Sequence, residues 1–177
     1  NINKYLEIGP GHGLFLKNAI DILNKNTEMT AVDISQTSLN VSKSIIDHFY
    51  PLKDISFVNK DMLDLYMDSE FDFIVMGEVI EHVEDPELLL VKISKLLSKN
   101  GRAFLSTCVN CPAIDHVYHF HTVDEIRDMF KNCGLTIESE KVLPVEDAPM
   151  AEIVNQKITI NYSAIVRRDF EWVDIQK

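Results

Sequence analysis

Tyr5-Leu6-Glu7-Ile8-Gly9-Pro10-Gly11-His12-Gly13-Leu14-Phe15-Leu16 is the stretch on which the fold turns. An apolar run carries one acid, three glycines follow at every second position, and a new apolar pattern then begins. Physically this reads as a buried strand, a tight turn and the first turns of a helix. Glycines at such positions let the backbone take positive φ and let a ligand approach with no Cβ in the way. Alone, a Gly-x-Gly-x-Gly is a weak signal. Here Asp33 closes a second strand about 20 residues further on, the ribose-binding arrangement of doubly wound nucleotide folds.

Outward from that turn, helix and strand patterns alternate. Residues 14–23 carry a helical stripe, and 28–33 read as a strand ending in an acid. Residues 35–49 are helical and are stopped by Pro51. A short strand at 55–58 leads into Asn59-Lys60-Asp61-Met62. Residues 71–76, apolar except for Asp72, have the look of a strand buried on both faces. Residues 86–97 form a helix for which Asn100-Gly101 supplies the stop, and 102–107 is a fifth strand. Thr122-Val123-Asp124-Glu125 has the form of a capping box and opens a helix ending near Gly134. Strands at 135–142 and 158–166 close the chain, with a loop over 143–152 and no helix between them. Alternation implies right-handed crossovers and parallel pairing, while the missing last helix makes one closing strand antiparallel. The expected architecture is α/β: a Rossmann-like three-layer sandwich with a mainly parallel seven-stranded sheet, its last strand antiparallel, in one domain over residues 1–177.

Charge decides which nucleotide suits the turn. A carboxylate just before it, Glu7, repels a diphosphate but suits a cation. S-adenosylmethionine carries a sulfonium and an ammonium and no phosphate. At these residues the chain resembles the class I S-adenosylmethionine-dependent methyltransferases, whose first motif is an acid followed by Gly-x-Gly-x-Gly. The resemblance implies that Glu7, Gly9, Pro10, Gly11 and Gly13 cradle the cofactor and that Asp33 and Ile34 hold its ribose end. It further implies that Asp61 and Met62 meet the adenine, and that Gly77 and Glu78 line the methionine end.

Glu78-Val79-Ile80-Glu81-His82-Val83-Glu84-Asp85-Pro86 is the second informative stretch. In a helical turn, Glu78, Glu81 and His82 would fall on one face. With a histidine from Asp115-His116-Val117-Tyr118-His119-Phe120-His121 they would suit Mg²⁺, Mn²⁺ or Fe²⁺. His119 is the expected fourth ligand, since it precedes Phe120, an apolar anchor. Such a pattern resembles the metal-dependent RNA 3′-terminal 2′-O-methyltransferases of the Hen1 type. Glu-His-Val, then Asp-Pro and a later His-Phe-x-Thr, equally resembles the UbiG-like small-molecule methyltransferases. Without a metal, His82 or His119 would act as general base. Cys108-x-x-Cys111 lacks a second pair and is followed by Pro112, so it reads as a loop with two small apolar thiols. Tyr118, Phe120 and Trp172 read as packing groups that could border an acceptor pocket.

The 177 residues include 46% hydrophobic and 25% charged, and the net charge of −11 disfavours a surface that tracks phosphates. The acids at Glu78, Glu81, Glu84, Asp85, Asp115, Asp124, Glu146 and Asp147 crowd the expected mouth. A small hydroxyl acceptor with a neighbouring oxygen fits that rim better than a nucleic acid. No apolar run reaches the length of a membrane span. Three cysteines make no disulfide framework and suit a reducing compartment such as the cytoplasm. The N-terminal lid helices usual in the resembled family are not in this sequence. The expected activity is O-methylation of a small-molecule hydroxyl. RNA ribose methylation and a non-catalytic cofactor-binding scaffold are the alternatives.

Overall fold

The order of elements follows from where each segment can bury its apolar residues. A computed structural model describes residues 1–66 and 70–172. The chain runs β1 (Lys4–Ile8), α1 (Leu14–Ile22), β2 (Glu28–Asp33), α2 (Gln36–Phe49), β3 (Ser56–Asn59) and β4 (Phe71–Gly77). A 3₁₀ turn (Ile80–His82), α3 (Pro86–Leu96), β5 (Leu97–Val109), α4 (Val123–Asn132), β6 (Leu135–Pro144), α5 (Met150–Gln156) and β7 (Ile160–Arg168) complete it. Helices α2, α3 and α4 start where side chains cap them. Ser35 accepts from the Ser38 amide, Asp85 from Leu88 ahead of α3, and Thr122 from Glu125 ahead of α4.

One seven-stranded sheet has the order β3-β2-β1-β4-β5-β7-β6. Pairs from β3 to β5 are parallel, and β7 is antiparallel to both of its neighbours, as the sequence leads one to expect. Strand order reverses between β1 and β4. A crevice opens there beyond the carboxyl ends of the strands, where open α/β sheets bind ligands. Leu6, Ile74, Met76, Leu90, Ile93, Leu105 and Phe130 are among the large buried groups on the α3/α4 side. Tyr5, Leu16, Met29, Ala31, Ile46 and Val75 form a smaller core under α1 and α2.

Two boundaries differ from expectation. Helix α3 ends at Leu96, and Asn100-Gly101 lies inside β5 rather than capping the helix. Leu97 already pairs with Phe71, and the next pair is Phe73 with Arg102, so residues 98–101 bulge out of the ladder. A Cβ at Gly101 would sit 2.6 Å from the Phe71 carbonyl oxygen, so the glycine is there for close approach. Second, a helix does separate the closing strands: α5 covers Met150–Gln156 and buries Ile153. It is under two turns long, and its weak apolar stripe explains why the pattern reads as loop.

Helix α1 reaches β4 and β5 through Phe15, whose ring lies 5.5 Å from that of Phe104. Phe73, Val75, Phe104 and Ile165 lie across β4, β5 and β7, and with Phe15 and Ile22 they line an apolar groove of about 330 Å³. Ile22 is 80% exposed.

Candidate functional site

The glycine turn is built on backbone. The Gly9 amide donates to Val32 and the Gly13 amide to Pro10. Gly9, Gly11 and Gly13 all have positive φ, at 65°, 53° and 75°. A Cβ on Gly9 would lie 2.4 Å from a Val79 methyl carbon. Ser42 of α2 donates its hydroxyl to the Gly11 carbonyl at 2.7 Å and so holds the turn from outside, a role with no sequence signal of its own.

Beside the turn lies a cleft of about 480 Å³. It is lined by Gly9, Asp33, Ile34, Asp61 and Met62, by Val79, and by His82, Glu84 and Asp85. Five of the expected cofactor residues therefore share one cavity with one expected base. Asp33 uses one carboxylate oxygen to accept from the Ser35 amide at 2.8 Å, and Asp61 does the same with Leu63 at 2.8 Å. These turns fix both acids and leave the second oxygen of each to face a hydroxyl or amine. Asn59 donates to the carbonyls of Asp33 and Ile34, and Lys92 donates to those of Leu63 and Leu65. Both loops are thus pinned before any ligand arrives.

Glu7 does not line the cleft. It is buried, takes the Tyr5 hydroxyl at 2.5 Å on one oxygen, and has no partner for Oε1. Burial pushes its carboxyl up to about 7, against the hydrogen bonds from Tyr5 and the Leu16 amide that favour the anion. An orphaned buried carboxylate oxygen beneath the glycine turn fits a cationic cofactor better than a diphosphate. Gly77 and Glu78 are also outside the cleft lining. A Cβ on Gly77 would meet the Phe15 ring at 2.7 Å, and Glu78, at φ 52°, accepts from the Ser106 hydroxyl at 2.6 Å.

The 3₁₀ turn, not an α-helical one, carries Glu81 and His82. Glu81 is buried and accepts from the Thr107 hydroxyl at 2.8 Å, with burial as the main cause raising its pKa. Its carbonyl accepts from the amides of Val117 and Tyr118, which pulls the loop after β5 over the turn. His82 Nδ1 donates to the Asp115 carbonyl at 2.8 Å, since a carbonyl only accepts. That fixes the neutral ring's lone pair at Nε2.

The loop's path makes His116, not His119, the inward histidine. The His82 and His116 rings lie 4.9 Å apart, whereas His119 is exposed and 6.4 Å from His116. Glu81, His82 and His116 place ligand atoms within 4.8 Å of one another; Glu78 does so with Glu81 and Cys108. Among the described residues the expected four, Glu78, Glu81, His82 and His119, do not converge. Choosing among His116, His119 and His121 requires the two amide bonds to Glu81, which no spacing rule supplies. Thr107 and Ser106 likewise become legible only once β5 lies beside β4. Trp172 packs on Gly134 and Phe120 is buried, so neither borders the cleft.

A methyltransferase-domain family model matches residues 3–159. The ubiquinone biosynthesis O-methyltransferase of Dechloromonas aromatica is 29% identical over 104 residues, covering 59% of this chain and 44% of that protein. The chain thus spans less than half the length of that relative in the match. The protein of the same name from Chromobacterium violaceum is 24% identical, covering 93% of this chain and 78% of its own length. The O-methyltransferase of a Brevibacillus brevis trans-AT polyketide synthase, solved with S-adenosyl-L-homocysteine, superposes with a TM-score of 0.74 at 16% identity, covering 98% of this chain and 69% of that one. Glycine turn, pinned acids, strand order and family match agree: this chain belongs to the class I S-adenosylmethionine-dependent methyltransferase-domain family.

Proposed function

We propose that the chain transfers a methyl group from S-adenosylmethionine to a hydroxyl oxygen of a small molecule. The observation that carries this reading is one cleft whose lining includes Asp33, Asp61 and His82. The cofactor supplies an electrophilic methyl on a sulfonium. Asp33 and Asp61 bind and orient its polar ends, and the glycine turn lets it lie against the sheet. His82, with Nδ1–H held by the Asp115 carbonyl, takes the hydroxyl proton on Nε2 as the oxygen forms its bond to the methyl carbon. With the cofactor bound, the methyl would leave sulfur with the C–S electron pair staying behind, so that an ether, a neutral thioether and a protonated His82 would result. In-line positioning supplies most of the remaining acceleration.

Metal assistance is not needed for this step. Glu81 is buried on Thr107, and Glu78 is turned to Ser106. The acidic rim supports a small acceptor over RNA: Glu84 and Asp85 line the cleft itself, and the Asp115 carboxylate lies 3.7 Å from His82. The names of the curated relatives support an oxygen acceptor. Among the described residues no helix is long and apolar enough to cross a membrane.

The test is a methylation screen of catechol-like, sugar and polyketide hydroxyls against short RNAs at low salt, alongside calorimetric cofactor binding. We expect binding of S-adenosylhomocysteine and turnover of a small hydroxyl. His82→Gln should lower kcat by roughly 10²–10⁴ with cofactor affinity retained. Faster methylation of RNA 3′ ends than of every small acceptor would install the ribose reading, and binding without turnover of any acceptor the scaffold reading. Adding Mg²⁺, Mn²⁺ or Fe²⁺ to chelated protein should not raise the rate.

A further inference from the structure

We infer that Cys108, Cys111 and His116 form a soft-metal site that takes one Zn²⁺-type ion, with water in the fourth position. The inference does not depend on the methyl-transfer reading. Three observations carry it. First, a ligand atom from each of the three residues lies within 4.8 Å of the other two. Bonds of about 2.0–2.3 Å in a tetrahedral site place ligand atoms roughly 3.5–4 Å apart, so closure asks for a shift of about 1 Å.

Second, the turn between the cysteines is held by bonds that do not involve the thiols. Asn110 has φ 51°, a left-handed conformation that asparagine tolerates, and it folds the chain back at the end of β5. Its amide donates to the Phe120 carbonyl at 2.9 Å, and its carbonyl accepts from the Thr159 hydroxyl at 2.8 Å. The two sulfurs are thereby held close whether or not an ion is bound. Third, His116 Nδ1 donates to the Cys111 carbonyl at 2.7 Å. A metal-binding histidine characteristically spends its other N–H on a carbonyl, which orients the ring and leaves Nε2 as the donor.

Two thiolates and one imidazole select zinc over magnesium or manganese, which prefer oxygen. Three protein ligands leave one position open. Cys111 and His116 are half-buried, so water can reach it. The ion would clamp the 111–116 loop to the end of β5, and that loop carries the Asp115 carbonyl that orients His82.

The test is titration of the metal-free chain with Co²⁺ and then Zn²⁺ under a phosphine reductant, which keeps Cys108 and Cys111 from pairing. We expect one equivalent of Co²⁺, a thiolate-to-cobalt charge-transfer band in the near ultraviolet, displacement by Zn²⁺ and no competition by Mg²⁺. Cys111→Ser and His116→Gln should each weaken Zn²⁺ binding by roughly tenfold or more. Circular dichroism would establish that the variants remain folded, and a folded Cys108→Ser decides the matter if Cys111→Ser does not fold, since His116 is shared with the Glu81 and His82 cluster. Absence of the charge-transfer band would overturn the site. So would Co²⁺ binding that survives Cys111→Ser and is lost in His82→Gln, since the ion would then belong to Glu81, His82 and His116.

Discussion

Glu7 shows how one side chain couples folding to ligand binding. Its carboxyl, raised from 4.5 to about 7, keeps its proton in the folded chain where the unfolded chain has lost it. The stability this group contributes is therefore full below pH 4.5, declines as pH rises and is gone above about 7. The slope is about 1.4 kcal/mol per pH unit across that window. Glu7→Gln should flatten the slope and leave the ligand-free protein more stable than wild type at neutral pH, as measured by urea unfolding across a pH series. Cofactor affinity should move the other way. A cation beside Glu7 favours the carboxylate, so wild-type affinity should rise as pH approaches neutrality and the variant's should not. In the ribose role proposed for Asp33, Asp33→Ala should lose hydrogen bonds to the cofactor, and calorimetry should show roughly a tenfold to hundredfold loss of affinity. Equal affinity would remove Asp33 from the ribose role. These residues were legible in the sequence because their place is fixed by motif and strand end. Ser42 and Thr107 were not, because each acts on a partner at least 26 residues away in the chain, and His116 was not, because its ring meets His82 only once the loop after β5 folds over the 3₁₀ turn.

At the scale of elements, local signals located strands and capped helices well and failed where pairing overrides them. Ser35, Asp85 and Thr122 cap their helices, and each signal is contained within four residues. The end of α3 is different. Asn100-Gly101 has the chemistry of a helix stop, yet Leu97 has already joined β4 through Phe71. What ends the helix is a strand partner more than 20 residues earlier, which no short window contains. The bulge at 98–101 then needs Gly101 for the approach of the Phe71 carbonyl. Gly101→Ala should destabilise the fold by about 1–3 kcal/mol in urea unfolding, as overpacking does in a closed site. A neutral result would mean that the bulge relaxes freely.

The whole molecule divides its sign of charge unevenly in use. Of the acids expected around the mouth, Asp85 caps α3 and Asp124 pairs with Arg127 at 2.7 Å, so their charge is partly spent inside the fold. Glu84 remains on the cleft, and Glu146 and Asp147 stay exposed nearby in sequence to β6. The overall α/β order was readable because alternation and handedness leave few topologies. The apolar groove between α1 and strands β4, β5 and β7 was not, since it depends on which side each crossover takes. Strand order also sets a sequence of events in time. β7 lies between β5 and β6, so β6 has no place in the sheet until residues 160–168 have been made. A nascent chain that has reached Pro144 carries the exposed edge of β5 and an unpaired β6 at once, both open to other chains. Chains ended at residue 158 should stay soluble only with a chaperone, and hydrogen exchange in the full chain should show β6 protected only after β7. Protection of β6 in the shortened chain would mean that it pairs with β5 directly, and that β7 must later displace it.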